Sequence, residues 1–367
     1  MDANAIWKVS TGKGVKVAVV DTGVNSSTSS LKGQVLPNPG SGDIAYHATK
    51  DYNGHGTSMA EIIAGTGNGG GIKGLAPGAK IVPYRIVLKQ LTDKQEKKRT
   101  ATPAAAVRAA ADSDAQIINM SFGQKMIDPD MQAAIKYASS KGKLMFAGVG
   151  NDAGTNNFID YPAAYDGVVG VSAADESGKV SKFSEHGAYV DLAAPGQNMP
   201  IWCDASFKSY CDKGEGTSVS TAIASASAAL VWSAHPGWTA NQVLRVLLDT
   251  ASRSWPKSQP SNYLGYGLIR PARNLLHGEG KPGAADVDPI SNEKTPEPGS
   301  RPATDPPTSA SGSSQPTQKA SDVSTEAAGS ESRSSSGSNK LWPALVAVAA
   351  LVVLGGGGWA VWRARRT

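Results

Sequence analysis

Apolar residues run almost unbroken from Val15 to Val20, ending in Asp21 and a glycine turn, and three similar runs follow: KIVPYRIV (80–87), AQIINMSFG (115–123) and KLMFAGVGN (143–151). A fifth, DGVVGVSA, lies at 166–173. Short runs rich in Val and Ile, punctuated by glycine, predict strands buried on both faces. Between them the apolar spacing becomes helical over 57–65, about 103–113 and 129–141, where Met131, Ile135 and Ala138 share a face. Two more helices are predicted near 218–234 and 239–250. Strands alternating with helices specify an α/β fold with a mostly parallel sheet. Crossovers in such sheets are right-handed, and sites gather at the carboxyl ends of the strands. Asp21, Ser121 and Asn151 fall at such ends.

The pattern changes after residue 277. Residues 281–340 contain no Phe, Trp or Tyr and are dominated by Ser, Pro, Thr and Ala. Such a stretch buries too little apolar surface to offset its chain entropy, so 278–340 is expected to be a disordered stalk. LWPALVAVAALVVLGGGGWAVW, at 341–362, carries no charge and is long enough to cross a bilayer as a helix. Trp342, Trp359 and Trp362 lie near its ends, where amphipathic rings favour the interface. Arg363, Arg365 and Arg366 then place a basic tail, 363–367, in the cytoplasm, and residues 1–277 outside. Cys203 and Cys211 agree, since one close pair in an exported domain predicts a disulfide. MDANAIWKVS has neither a basic n-region nor an apolar h-region, so export expects a leader upstream of this start. The net charge of +5 is modest and partly due to the tail, which gives no reason to expect nucleic acid as a partner. KQEKKR at 94–99 is read as a solvated loop.

Two glycine-flanked stretches carry the chemistry. In DYNGHGTSMAEIIAG (51–65), His55 stands between two glycines at the start of a helical run. In GEGTSVSTAIASASAALVW (214–232), Ser218 opens a long Ala-rich helix, where the helix end favours developing negative charge. Alone, the first would be a surface histidine and the second an N-cap. Together they supply a hydroxyl and the base needed to activate it.

VAVVDTG, NGHGTSMA and GTSVSTA, in that order and joined by FAGVGNDAG at 146–154, resemble the signature blocks of the subtilisin-like serine proteases. The resemblance spans about 15–275. It implies a three-layer subtilisin-like fold and an Asp21–His55–Ser218 triad, with Asn151 and the Ser218 amide as the oxyanion hole. It also implies that Ser121, Phe122, Gly123 and Gly148 hold extended peptide as an added strand, with the glycines at 54 and 56 letting substrate backbone pass close to the imidazole. Asp160, just before Tyr161-Pro162, corresponds to the floor of the pocket for the side chain preceding the cleaved bond (P1). Either it favours Lys or Arg there, or it caps the turn before the proline. Two positions depart from the family pattern: Ala222 stands where a proline is usual, and Glu61 where a glycine is. Calcium is common in such enzymes, but no ligand run stands out and no cofactor is expected. GGGIKG at 69–74 follows a helix instead of a strand, which argues against dinucleotide binding. The start near Trp7, the stalk and the span resemble the mycosins, membrane-anchored proteases of actinobacterial type VII secretion. The expectation is a membrane-anchored endopeptidase of protein or peptide substrates, linked to a type VII complex. The rival is a non-catalytic scaffold on the same fold.

Overall fold

The VKVAVVD run forms β1 (Lys16–Asp21), in which every residue after Lys16 is buried. It belongs to a computed structural model that describes residues 2–295. The other apolar runs become β2 (Lys80–Arg85), β3 (Ile117–Met120), β4 (Leu144–Gly148) and β5 (Val168–Ala174). A sixth strand that the pattern does not single out, β6 (Leu192–Pro195), extends the sheet beyond β5. All six pair in parallel in the order β2-β1-β3-β4-β5-β6. The pleat divides β1 between two cores. Val17 and Val19 pack with Ile63 and Leu230 on one face, and Ala18 and Val20 with Val107 and Ile135 on the other. This is the expected three-layer arrangement.

The helices are α1 (Ala3–Ile6), α2 (His55–Ala64), α3 (Lys94–Arg99), α4 (Pro103–Asp112), α5 (Pro129–Ser140), α6 (Thr217–Ala234), α7 (Ala240–Thr250) and α8 (Pro271–His277). α6 is buried continuously from Val219 to Trp232, and its small side chains let it run through the packed interior. Its hydroxyls are satisfied there: Thr221 donates to the Thr217 carbonyl at 2.7 Å, Ser227 to the Ile223 carbonyl at 2.8 Å and Ser225 to Asn119 Oδ1 at 3.0 Å. α3 corrects the loop expected at KQEKKR. Asp93 caps it, and Glu96 reaches back to pair at 2.7 Å with Arg85, which is buried. Hydrogen bonding from Arg85 holds the Glu96 carboxyl well below the usual carboxylate range. The charge run is thus a helix tied down by its one acid.

After β6, an antiparallel hairpin of β7 (Met199–Trp202) and β8 (Tyr210–Gly214) is closed by the Cys203–Cys211 disulfide. It is clasped to α2. The Trp202 N–H donates to Ser58 Oγ at 3.0 Å, and the Tyr210 hydroxyl donates to Glu61 Oε2 at 2.8 Å. Thr28 donates to the other Glu61 oxygen at 2.7 Å, so the unexpected glutamate is a buried, fully engaged acceptor. Burial raises its pKa, against the hydrogen bonds from Thr28 and Tyr210.

The ordered part continues past the expected boundary at 277. Ala285 O accepts from Thr239 Oγ1 at 2.9 Å and Asn241 Nδ2 at 3.1 Å, Arg245 donates to Val287 O at 3.0 Å, and Ile290 packs against the core. Composition counts apolar area, whereas the polar side chains of α7 hold this segment by its backbone carbonyls. A chain ending at 277 is therefore expected to melt below one ending at 295, by about 2–4 °C for each kcal/mol these contacts supply in a domain of this size. Thermal unfolding of the two chains checks this, and equal midpoints would refute it. The rest of the expected stalk from 296, the expected span at 341–362 and the expected tail at 363–367 lie outside the described residues. Among the described residues no helix is long and apolar enough to cross a membrane.

Candidate active site

Asp21 ends β1 and is fully buried. Its Oδ1 accepts from the Thr22 N–H at 2.7 Å and lies 2.8 Å from His55 Nδ1. His55 is the first residue of α2, entered through Gly54 with φ 95°. The flanking glycines prove to serve the protein's own backbone: a Cβ on Gly56 would stand 2.2 Å from Gly23 O, and one on Gly54 2.9 Å from Asp204 O. Only glycine lets α2 press close enough to bring the imidazole onto Asp21. That corrects the expectation that they make room for substrate.

Asp51, which opens the same DYNGHGTSMAEIIAG stretch and belongs to none of the expected site residues, fixes this junction. Its Oδ1 accepts from Thr22 Oγ1 at 2.8 Å and from the Asn53 and Gly54 N–H groups, and its Oδ2 accepts from the Thr57 N–H and hydroxyl. An aspartate a few residues before a helix start was the available signal. Burial disfavours the imidazolium, but the Asp21 carboxylate and its hydrogen bond, helped by Asp51, outweigh it and raise the His55 pKa above the ordinary value of 6.5.

Ser218 is the second residue of α6. Its hydroxyl donates to the Ser121 carbonyl at 3.1 Å and not to the imidazole, while Ser121 Oγ donates to the Ser218 carbonyl at 3.1 Å. Nucleophile and substrate-binding segment are thereby joined. Asn151 lies three residues past β4, and its Oδ1 accepts from the Thr217 N–H at 2.8 Å and hydroxyl at 3.1 Å. A backbone N–H can only donate, so the amide oxygen must face Thr217 and its NH2 is left for the cleft. Every residue selected from sequence except Asp21 lines one cleft of about 420 Å³, with Asp21 standing behind His55. A second cleft of about 340 Å³ is walled by Ile201, Trp202 and Cys203 of the hairpin and shares His55, Asn151 and Ser218. A hydroxyl, an imidazole on a buried carboxylate and an amide donor between two clefts can carry nucleophilic acyl transfer on an extended chain.

Residues 12–267 match the Subtilase family, Peptidase S8. The chain belongs to the subtilase family of serine endopeptidases. Over 274 residues this subtilase is 32% identical to thermitase of Thermoactinomyces vulgaris, covering 72% of this chain and 92% of thermitase. It is 31% identical over 260 residues to subtilisin BL of Lederbergia lenta, covering 71% and 90%. Similar solved structures include MycP1 from Mycobacterium smegmatis (TM-score 0.62, 28% identity, 77% of this chain and 84% of that one). Another is the MycP3 protease from the type VII (ESX-3) secretion system (TM-score 0.61, 29% identity, 75% and 86%).

In this subtilase Asp160 is not a free carboxylate. Its side chain meets the Lys125 ammonium at 3.1 Å instead of capping the turn before Pro162. Lys125 also reaches Glu185 and Asp152. Neither Lys125 nor Glu185 stands out in the sequence, because they lie far apart in the chain and in no motif. Among the described residues no group of three or more His, Cys, Asp or Glu could hold a metal ion.

Proposed function

We propose that this subtilase is a membrane-anchored, extracytoplasmic endopeptidase working beside a type VII secretion complex. The observation that carries the chemistry is the meeting of the Asp21–His55 pair with Ser218 and Asn151 on one cleft wall. In the proposed cycle, Ser218 turns from the Ser121 carbonyl toward His55 and attacks the scissile carbonyl. His55 takes the hydroxyl proton and returns it to the leaving amine, Asp21 stabilises the imidazolium, and Asn151 Nδ2 with the Ser218 N–H receives the oxyanion. Water then releases the acyl group by the same route in reverse. Peptide enters as a strand along Ser121–Gly123, whose Phe122 and Gly123 backbone groups have no hydrogen-bond partner among the described residues.

Three features support the location: the uncharged run at 341–362 with three arginines close behind it against the single Lys340 immediately in front, the disulfide, and the likeness to MycP1 and MycP3. The test is to label intact cells of the source bacterium with a fluorophosphonate, separate membranes, and shave the surface with an external protease. The expected result is a labelled band in the membrane fraction that shaving converts to a smaller, soluble labelled domain. Label confined to the cytosol would overturn the location, and no label at all would overturn the catalysis.

A further inference from the structure

With the scissile carbonyl oxygen at the Asn151 amide, the P1 side chain has the space between residues 121–125 and 148–152, walls of the cleft that Ser218 also lines and to which it is joined through the Ser121 carbonyl. The glycines at 123 and 150 bring two acids against that space. A Cβ on Gly123 would stand 2.8 Å from Asp160 Oδ2, and one on Gly150 1.9 Å from Glu185 Oε2 and 2.5 Å from Asp160 Oδ2. The Glu185 side chain is 0% exposed and that of Asp160 9%, so water cannot carry either charge. Lys125 does. Its ammonium lies 2.5 Å from Glu185 Oε1, 3.1 Å from Asp160 Oδ1 and 3.3 Å from Asp152 Oδ2, while its side chain stays 34% exposed on the cleft wall.

We propose that Lys125 is a specificity-determining residue: it masks an acidic pocket floor, so that the enzyme takes an uncharged P1 side chain, and without it the pocket takes arginine or lysine. An arriving guanidinium or ammonium finds Asp160 and Glu185 already held by the Lys125 ammonium and must displace it to pair with them, and an arriving carboxylate meets three acids against one ammonium. Both signs are turned away, and an uncharged side chain disturbs neither. Burial raises the pKa of Asp160 and Glu185, opposed by Lys125, and these two acids in turn keep the ammonium protonated against its own desolvation. Removing the lysine leaves two buried acids without a counter-ion, and the nearest replacement is a cation brought by the substrate. The alternative is that Lys125 only ties the segment 121–125 to Glu185 and Asp152. That would lower kcat/KM for every P1 residue alike, whereas masking changes their ratio.

The inference rests on the proteolytic reading above. The test is kcat/KM for matched peptides differing only at P1, with Met, Arg and Glu compared. The wild type is expected to favour Met over both charged residues. Lys125→Met is expected to raise the Arg-to-Met ratio by roughly a hundredfold, the scale of a close charge pair at a desolvated site. If that variant does not fold, Lys125→Met with Glu185→Gln leaves a single buried acid, and the same ratio is expected to rise. A wild type that prefers Arg, or a folded variant with an unchanged ratio, overturns the inference and leaves the proteolytic reading standing. Absence of hydrolysis across all peptides, together with no fluorophosphonate labelling of Ser218, removes both.

Discussion

Ser218→Ala is expected to lower kcat by about a millionfold, the loss that a subtilisin suffers when its serine is removed. The reason lies in how the residues are coupled. Without the hydroxyl, His55 has no serine proton to accept and Asp21 no imidazolium to stabilise, so the contributions of the triad are lost together. Residual rate over water comes from binding and from the amide donors alone. The substitution removes only the hydrogen bond to the Ser121 carbonyl, while the return bond from Ser121 Oγ to the Ser218 carbonyl remains. Folding is therefore expected to hold, with an unchanged thermal midpoint. Single-turnover assays on a peptide, with fluorophosphonate labelling as a second readout, check the result. Substantial hydrolysis by a pure Ser218→Ala protein would remove Ser218 as nucleophile.

Asp21→Ala should cost about 3 × 10⁴ in kcat, again on the subtilisin scale, and should also move the pH profile. The imidazole accepts a proton only when neutral, so kcat/KM falls as pH drops through the His55 pKa. Asp21 raises that pKa, which places the acid limb of the wild type above 6.5. Removing the carboxylate leaves desolvation opposed by Asp51 alone, and the limb moves to lower pH. The same shift affects stability: a raised histidine pKa stabilises the fold below the unfolded value and loses that contribution as pH rises through the folded one. Asp21→Asn separates charge from geometry. The Thr22 N–H holds Oδ1 as an acceptor, so an amide oxygen is expected to stay facing Nδ1 and keep the ring in place. That variant should shift the limb as the alanine does yet lose less kcat. An Asp21→Ala enzyme with its acid limb unmoved would mean that another group controls the imidazole.

Much of this was legible in the sequence because it is written in short local patterns. The five apolar runs are strands buried on both faces, and α2, α4, α5, α6 and α7 carry the apolar spacing or small-residue run that a core-facing helix requires. The site residues stand in blocks whose glycines mark forced close approaches. What escaped was set by distant partners. β6 is only LAAP, too short to show as a run, and exists because β5 offers it an edge. α3 is all polar and is anchored by the buried Arg85. Residues 278–295 are held through backbone carbonyls that no hydropathy pattern records. The environment of Asp160 depends on Lys125 and Glu185, which only the folded chain brings together.

The two clefts meet at His55, Asn151 and Ser218, so a substrate must lie stretched across both sides of the bond being cut. A folded partner rarely offers such a segment, because its backbone groups are already committed to its own helices and sheets. The enzyme is thus a reader of local unfolding. Where opening of the target is fast relative to cleavage, the rate follows the population of the opened segment, and each 1.4 kcal/mol of local stability in the target slows cutting about tenfold. Of two proteins with identical sequences around the bond, the one that docks or folds that segment away is spared. Timing of cleavage would then be set by the substrate's own conformational state, with no switch required in the protease.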